Sequence, residues 1–272
     1  MKDIRQSTQY ADYLSKTGWI AERASGINSF IRKFPIVGSV IKIQRPEKIE
    51  MDKINKLAKK YRALQIIVEP KNTTDIGLLI KNGYKLSKSP YLPTKTLQID
   101  LTKPKEKIFQ NLLKDARHAL RKTSRSGVET SSDIEDFRNL WKKSVGRRRC
   151  IPPLKPLLAL KKSFDDKCTF YLCTDPSKQI RAGAIFLVAD GMGYYWQAFT
   201  NKEGRRALAQ YNIVWEGILW AKRLGAKIFD FEGIYDERFP NKSWLGFTHF
   251  KKSFGGIVVE YPGAFIKTRL PL

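Results

Sequence analysis

Read by hydrophobic period and chain breakers, the sequence alternates between helix-like and strand-like segments. A helix is predicted over Gln6–Lys16, then strands around Trp19–Ala24, Asn28–Lys33 and Ser39–Ile43. From about Pro46 to Tyr61 a lysine-rich helix is expected, with Ile49, Ile54, Leu57 and Ala58 near helical spacing. "LQIIVEP" reads as a buried strand that ends on an acid and a proline. A short helix over Asp75–Asn82 leads through Gly83 into another strand.

The second half repeats that order. "TFYLCTD", "QIRAGAIFLVADG" and "MGYYWQAFTN" are expected to form three antiparallel strands with turns at Pro176 and Gly191. A helix over Ala207–Leu224 follows, then the buried strand "AKIFDFEG", whose Asp230 and Glu232 alternate onto one face. A helix over Trp244–Phe254, the pair Gly255-Gly256 and the strand "IVVEY" come next. "KKYRALQIIVEP" with "LLIKNGYKL" echoes "AKRLGAKIFDFEG" with "HFKKSFGGIVVEY": helix, buried strand, acid, helix, glycine, strand. A duplicated unit of α/β (mixed α+β) class explains the echo. The expected division is a first domain over 1–104, completed by the C-terminal stretch 257–272, and a second over 105–256.

Between the halves, Ile108, Leu112, Ala116 and Ala119 recur every three or four residues. One helix through this stretch would dock on them and present Lys114, Arg117, Arg121 and Arg125 on the opposite face. Its end falls at Gly127.

Charge sharpens the picture. Lysine and arginine total 51 against 26 acids, a formal net charge of +25 over 272 residues. Such an excess favours a polyanionic partner: nucleic acid, anionic lipid headgroups or a phosphorylated substrate. For any single cation, a solvated surface charge is the alternative. No apolar run approaches the roughly 20 residues that span a bilayer, and "MKDIRQSTQYADYL" is too polar for a signal segment. A cytoplasmic protein is expected, with a basic face able to touch the inner membrane surface. Cys168 and Cys173, five apart in a strand, point to opposite faces, and neither of the two histidines stands at ligand spacing. Neither a metal site nor a cofactor is expected, and Cys150, Cys168 and Cys173 read as filler.

Four stretches then carry a likeness. "QSTQYADYLSKTGW", "LPTKTLQIDLTKPKEKIFQNLLKDARHALRKTSRSGVE", "KIFDFEGI" and "GFTHFKKSFGG", in that order, resemble the Fem family of peptidoglycan bridge-forming aminoacyl transferases. The resemblance implies tandem duplicated GNAT-like acyltransferase domains, with aminoacyl-tRNA as donor and the stem peptide of a cell-wall precursor (nucleotide- or lipid-linked) as acceptor. No heptad segment is present, so the chain resembles a short member without a coiled-coil arm.

Moving an acyl group from a tRNA ester to an amine needs positioning, proton removal and stabilisation of the developing oxyanion. No serine or cysteine nucleophile is required. Lys251 matches the lysine of the family's Phe-Lys pair and is implied to serve the reacting centre, with Phe250 walling it and Lys252 a bystander. Glu69 matches an acid of the first domain suggested as a base. Asp230 matches a strand-end aspartate that holds a turn. His249 could act as a base, but the sequence offers it no partner. Arg117, Arg121 and Arg125, and Arg147, Arg148 and Arg149 of the loop 146–156, could follow tRNA phosphates. Gln197 stands where the family has a tyrosine, and Pro-Pro-Leu-Lys-Pro replaces the contacts for the precursor's diphosphate, so the acceptor stays open. Two rivals remain. A CoA-dependent acetyltransferase would hold the pyrophosphate on "TNKEGRRALAQYN", whose single glycine, Gly204, fits the motif poorly. A non-enzymatic RNA- or membrane-binding module is the other.

Overall fold

The computed structural model describes residues 1–123, 127–146, 150–175 and 177–269. The first unit begins with α1 (Thr8–Lys16), whose first turn is capped by the Ser7 hydroxyl accepting from the Tyr10 N–H. The strands β1 (Ile20–Ala24), β2 (Ile27–Phe34) and β3 (Gly38–Gln44) form an antiparallel meander. Next come α2 (Met51–Lys60), β4 (Ala63–Glu69), α3 (Ile76–Lys81) and β5 (Lys85–Leu86). Helix α2 starts later than the predicted Pro46, because the backbone at Glu50 is still extended. Its Ile54 and Ala58 are buried in a core with Ile41, Ile66, Val68 and Leu79.

The second unit opens with β6 (Lys95–Asp100). The single helix expected next is two: α4 (Lys105–Gln110) and α5 (Lys114–Lys122). Leu113 is extended between them and donates its N–H to the Ser253 carbonyl, which breaks the helical ladder. Beyond β7 (Gly127–Thr130) come two helices that the periodicity does not predict, α6 (Ile134–Val145) and α7 (Leu154–Phe164). The strands β8 (Cys168–Thr174), β9 (Ile180–Ala189) and β10 (Met192–Thr200) are antiparallel, as expected. The turn predicted at Pro176 lies outside the described residues.

Where one helix was expected over 207–224, α8 (Lys202–Arg206) is separated from α9 (Ala209–Arg223) by Leu208, which has φ 58°. Helix α9 lies on the sheet through Ile213, Val214, Ile218 and Ala221. It comes so close at Gly217 that a Cβ there would meet the Phe186 ring at 2.2 Å. Then follow β11 (Ile228–Asp230), α10 (Leu245–Lys252), β12 (Ile257–Glu260) and β13 (Phe265–Thr268).

Sheet order exposes the duplication. The first sheet runs β1-β2-β3-β4-β13-β5, and the second runs β12-β6-β11-β10-β9-β8-β7. Read from β8 towards β12, the second repeats the first strand for strand, with β7 added at its edge. In each unit one central pair is parallel, β3 with β4 and β10 with β11. The remaining place is taken by a strand distant in sequence: β13 in the first sheet and β6 in the second. The division therefore differs from the expected one at three points, 96–104, 235–241 and 257–258. Residues from Thr96 and the start of β12 belong with the second unit, while Tyr235–Asn241 and the segment from Val259 belong with the first. A strand follows its ladder partners rather than its neighbours in sequence.

Candidate functional site

The parallel pairs of the two units differ at their ends. In the first unit β3 and β4 stay in register to Gln44 and Glu69, the last residue of each. In the second, β10 pairs with β11 only from Met192 opposite Ile228 to Tyr194 opposite Asp230. A bulge at Tyr195–Gln197 then turns β10 aside while it continues along β9 to Thr200. The sheet opens past Asp230, and the second unit's polar groups gather there.

Asp230 is buried and spends its carboxylate on the fold. It accepts from the Thr96 hydroxyl at 2.6 Å, the Gln98 amide at 2.8 Å and the Glu232 N–H at 2.7 Å. That last bond bends the chain: Glu232 has φ 57° and Gly233 φ 128°. The turn ends the strand at Asp230, so Glu232 does not continue its alternation.

The turn presents two carbonyls to Lys251. The Lys251 Nζ donates to the Phe231 and Gly233 oxygens, both at 2.7 Å. It also lies 4.9 Å from the Phe247 ring centroid and 5.6 Å from that of Tyr195. The lysine is only 9% exposed. Burial lowers its pKa from 10.5 to about 8, against the pull of the Glu232 and Asp230 charges. An ammonium has three donors; two are satisfied here, and the third has no hydrogen-bond partner among the described residues. Lys252, one residue on, is exposed.

Helix α10 fixes this position by its aromatic face. Phe254 is in the core, and Phe250 packs at 4.8 Å on Tyr211 and 5.4 Å on Phe254. Past the helix, Gly255 has φ 74° and Gly256 φ 99°. Side chains there would meet the Asn111 and Gln98 carbonyls at 2.5 and 2.4 Å, so both glycines are required. Sequence reasoning missed one neighbour of Lys251 and that neighbour's own partner. Tyr195 lies beneath it, and Gln210 donates to the Tyr195 hydroxyl at 2.8 Å, leaving its own buried Oε1 without a partner. Burial pushes the Tyr195 phenol well above its ordinary value. The signal was the "YYWQ" run beside the acid-ended strand. Gln197 itself is half-buried on β10, opposite Ile185.

Glu69 belongs to the first unit and is as thoroughly committed as Asp230. It accepts from the Gln44 amide at 2.9 Å and from the Leu92 and Tyr91 N–H groups at 2.7 and 3.2 Å. His249 has a partner after all: Asp115, exposed like itself, at 3.5 Å. They meet because α5 is a separate helix.

Helix α5 buries Ala116, Ala119 and Leu120 and turns Lys114 and Arg121 outward. Arg117 is half-buried and donates to the Gln110 carbonyl at 3.0 Å. With Phe109, Gln110 and His118, these three cations line an open cleft of about 340 Å³. Arg125, Arg147, Arg148 and Arg149 lie outside the described residues.

The loop that would hold a CoA pyrophosphate has its donors occupied. The Gly204 N–H goes to Asn201 Oδ1 at 2.7 Å, and those of Arg205, Ala207 and Leu208 go to carbonyls of the same loop. Gly204 serves packing, since a Cβ there would meet the Arg181 carbonyl at 2.1 Å. No group of three or more metal-ligating side chains occurs among the described residues. None of their helices is long and apolar enough to cross a membrane.

Two duplicated units, the second opened beside a buried lysine, give the chain a tandem GNAT-like fold. Residues 169–272 match the sequence model of the FemAB family. Among solved structures, the crystal structure of FemX is similar with TM-score 0.81 and 18% identity, over 98% of this chain and 92% of that one. The L-PGS structure from Bacillus licheniformis follows at TM-score 0.62 and 13% identity, over 93% and 85%. A GCN5-related N-acetyltransferase from Kribbella flavida matches at 0.53 and 12%, over 96% and 92%. No curated protein matches the chain.

Proposed function

We propose that the chain transfers an aminoacyl group from aminoacyl-tRNA to an amine of a peptidoglycan precursor's stem peptide, at the opening beside Lys251. The observation that carries this reading is the buried Lys251 ammonium, held by two carbonyls with one donor to spare. In the transfer, the acceptor amine forms a C–N bond to the ester carbonyl carbon, the C–O bond to the tRNA ribose breaks, and the proton lost by the amine ends on the ribose hydroxyl. Charge builds on the carbonyl oxygen between these events. A fixed ammonium in a site shielded from water stabilises that charge without reorganising. Phe247 and Tyr195 flank the lysine, whereas Phe250 packs on Tyr211 and Phe254, and Asp230 holds the turn that aims it.

The cleft of α5 would take tRNA phosphates on Lys114, Arg117 and Arg121. Phosphate contacts carry affinity without sequence preference and weaken as salt rises. Glu69 has no place in the chemistry here, since both its oxygens are occupied.

The test is incubation of the purified protein with radiolabelled aminoacyl-tRNAs and candidate wall precursors, beside parallel reactions with acetyl-CoA. The expected product is a muropeptide carrying the label. Acetylation without aminoacyl transfer would replace the donor. Tight tRNA binding with no transfer to any amine would leave a binding module instead.

A further inference from the structure

The hairpin joining β2 to β3 ends in Phe34-Pro35-Ile36-Val37, four apolar residues in a row, all exposed. Ile36 is 99% exposed, Val37 57% and Phe34 46%. The tip is shaped by a tight turn in which the Val37 N–H donates to the Pro35 carbonyl at 2.7 Å, with Ile36 at φ 69°. A β-branched residue rarely adopts that conformation, and here it holds the side chain away from the sheet. A single exposed aliphatic needs no explanation; four consecutive ones on the rim of a protein with net charge +25 do.

The surroundings of the tip are cationic. Lys33 immediately precedes it, and its Nζ lies 5.4 Å from the Tyr61 ring centroid. Ser39 ties the hairpin's base to the turn after α2, its N–H bonding the Arg62 carbonyl and its hydroxyl the Tyr61 carbonyl. That turn carries the exposed Lys59, Lys60 and Arg62 beside the apolar tip. Lys60 pairs with Glu22 at 2.7 Å.

We propose that this hairpin tip is a membrane-surface anchor: Phe34, Ile36 and Val37 enter the headgroup–acyl boundary of an anionic bilayer while Lys33, Lys59 and Arg62 meet its headgroups. Apolar side chains projecting from a basic collar match such a surface in both chemistry and depth. A protein partner fits less well, because four residues fall far short of the roughly 800 Å² per side that a stable interface needs. The anchor is independent of the transfer reaction and stands or falls separately from it.

Flotation of the full-length protein with vesicles tests it, comparing phosphatidylcholine alone with an equimolar mixture of phosphatidylcholine and phosphatidylglycerol. The protein is expected to float with the mixed vesicles and to be released by salt. Ile36→Ser with Val37→Ser should weaken binding by at least about 10-fold, given the partition energy of two aliphatic side chains, with thermal melting unchanged. Lys33→Gln with Lys59→Gln should remove the preference for phosphatidylglycerol. Tryptophan emission of Ile36→Trp, read as a difference from the parent, should shift to the blue when mixed vesicles are added. The proposal fails if the serine variant binds like the parent, or if the parent ignores both vesicles. It fails equally if the Ile36→Trp difference emission stays constant while the protein floats. A dimer in solution that the serine substitutions dissociate would make the tip a contact between copies instead.

Discussion

Replacing Lys251 by leucine separates chemistry from folding, and the fold itself supplies the control. Helices α3 and α10 end alike: the Gly83 N–H bonds the Ile80 carbonyl at 2.9 Å, and the Gly255 N–H bonds that of Lys252 at 3.0 Å. Counting back from these glycines, the first unit's counterpart of Lys251 is Leu79, 0% exposed. The architecture therefore accepts an aliphatic at this place. Lowering the lysine's pKa from 10.5 to about 8 means that burying its charge costs roughly 3 kcal/mol. Leucine removes that cost and strips the Phe231 and Gly233 carbonyls of their donor, at about 1–3 kcal/mol each. At neutral pH the net change should thus lie between a gain of about 1 and a loss of about 3 kcal/mol. The sign with pH is definite. Between about 8 and 10.5 the unfolded chain holds the Lys251 proton and the folded one has released it, so this group's contribution makes stability rise with pH across that window. Urea titrations of parent and Lys251→Leu should diverge there, with the variant lacking the rise. Transfer should fall about 10²–10³-fold in the variant, the usual loss for one oxyanion donor. The parent's rate should first climb with pH as the acceptor amine is freed, then decline as Lys251 deprotonates near 8; the variant should keep only the climb. Near-parental turnover by Lys251→Leu, or a parent profile without the alkaline decline, would refute the reasoning.

The other expectations are simpler. Asp230→Asn puts an amide donor against Thr96, Gln98 or the Glu232 N–H, so a loss of about 1–3 kcal/mol should appear in thermal melts. Glu69→Gln should likewise destabilise without a transfer defect beyond the folded fraction, and a large fall in kcat at unchanged stability would restore it as a base. Arg117→Glu with Arg121→Glu should weaken tRNA binding across all sequences and flatten its dependence on salt, read by filter binding at several salt concentrations. Gly217→Ala forces a methyl into the Phe186 ring and should cost about 1–3 kcal/mol in urea unfolding.

Much of the fold was legible because its signals are local. The strands β8 to β10 are apolar runs bounded by breakers, and the repeated order of helix, acid-ended strand, helix and glycine stood in the sequence as an echo. What was not legible depends on partners distant in the chain. The break between α4 and α5 answers to the Ser253 carbonyl, and α9 begins only after a left-handed Leu208. The place of β6 in the second sheet, beside β11, cannot be read from periodicity, because it has the pattern of an ordinary strand. At the site, the pairing of His249 with Asp115 and the seat of Lys251 on Tyr195 needed the third dimension.

The duplication also decides how the acids should be read. Glu69 and Asp230 end corresponding strands, β4 and β11, and each is buried and accepts three hydrogen bonds that fasten its strand end to a neighbouring segment. A role that recurs in both copies, one of which keeps its parallel strands paired to the end, belongs to the fold they share. The lysine does not recur: where the first unit seals the position with Leu79, the second places a charge beside the opening between β10 and β11. Retaining a buried charge at a position that an aliphatic fills elsewhere in the same chain points to a gain outside folding. The difference between the copies, rather than the motif they have in common, therefore singles out Lys251.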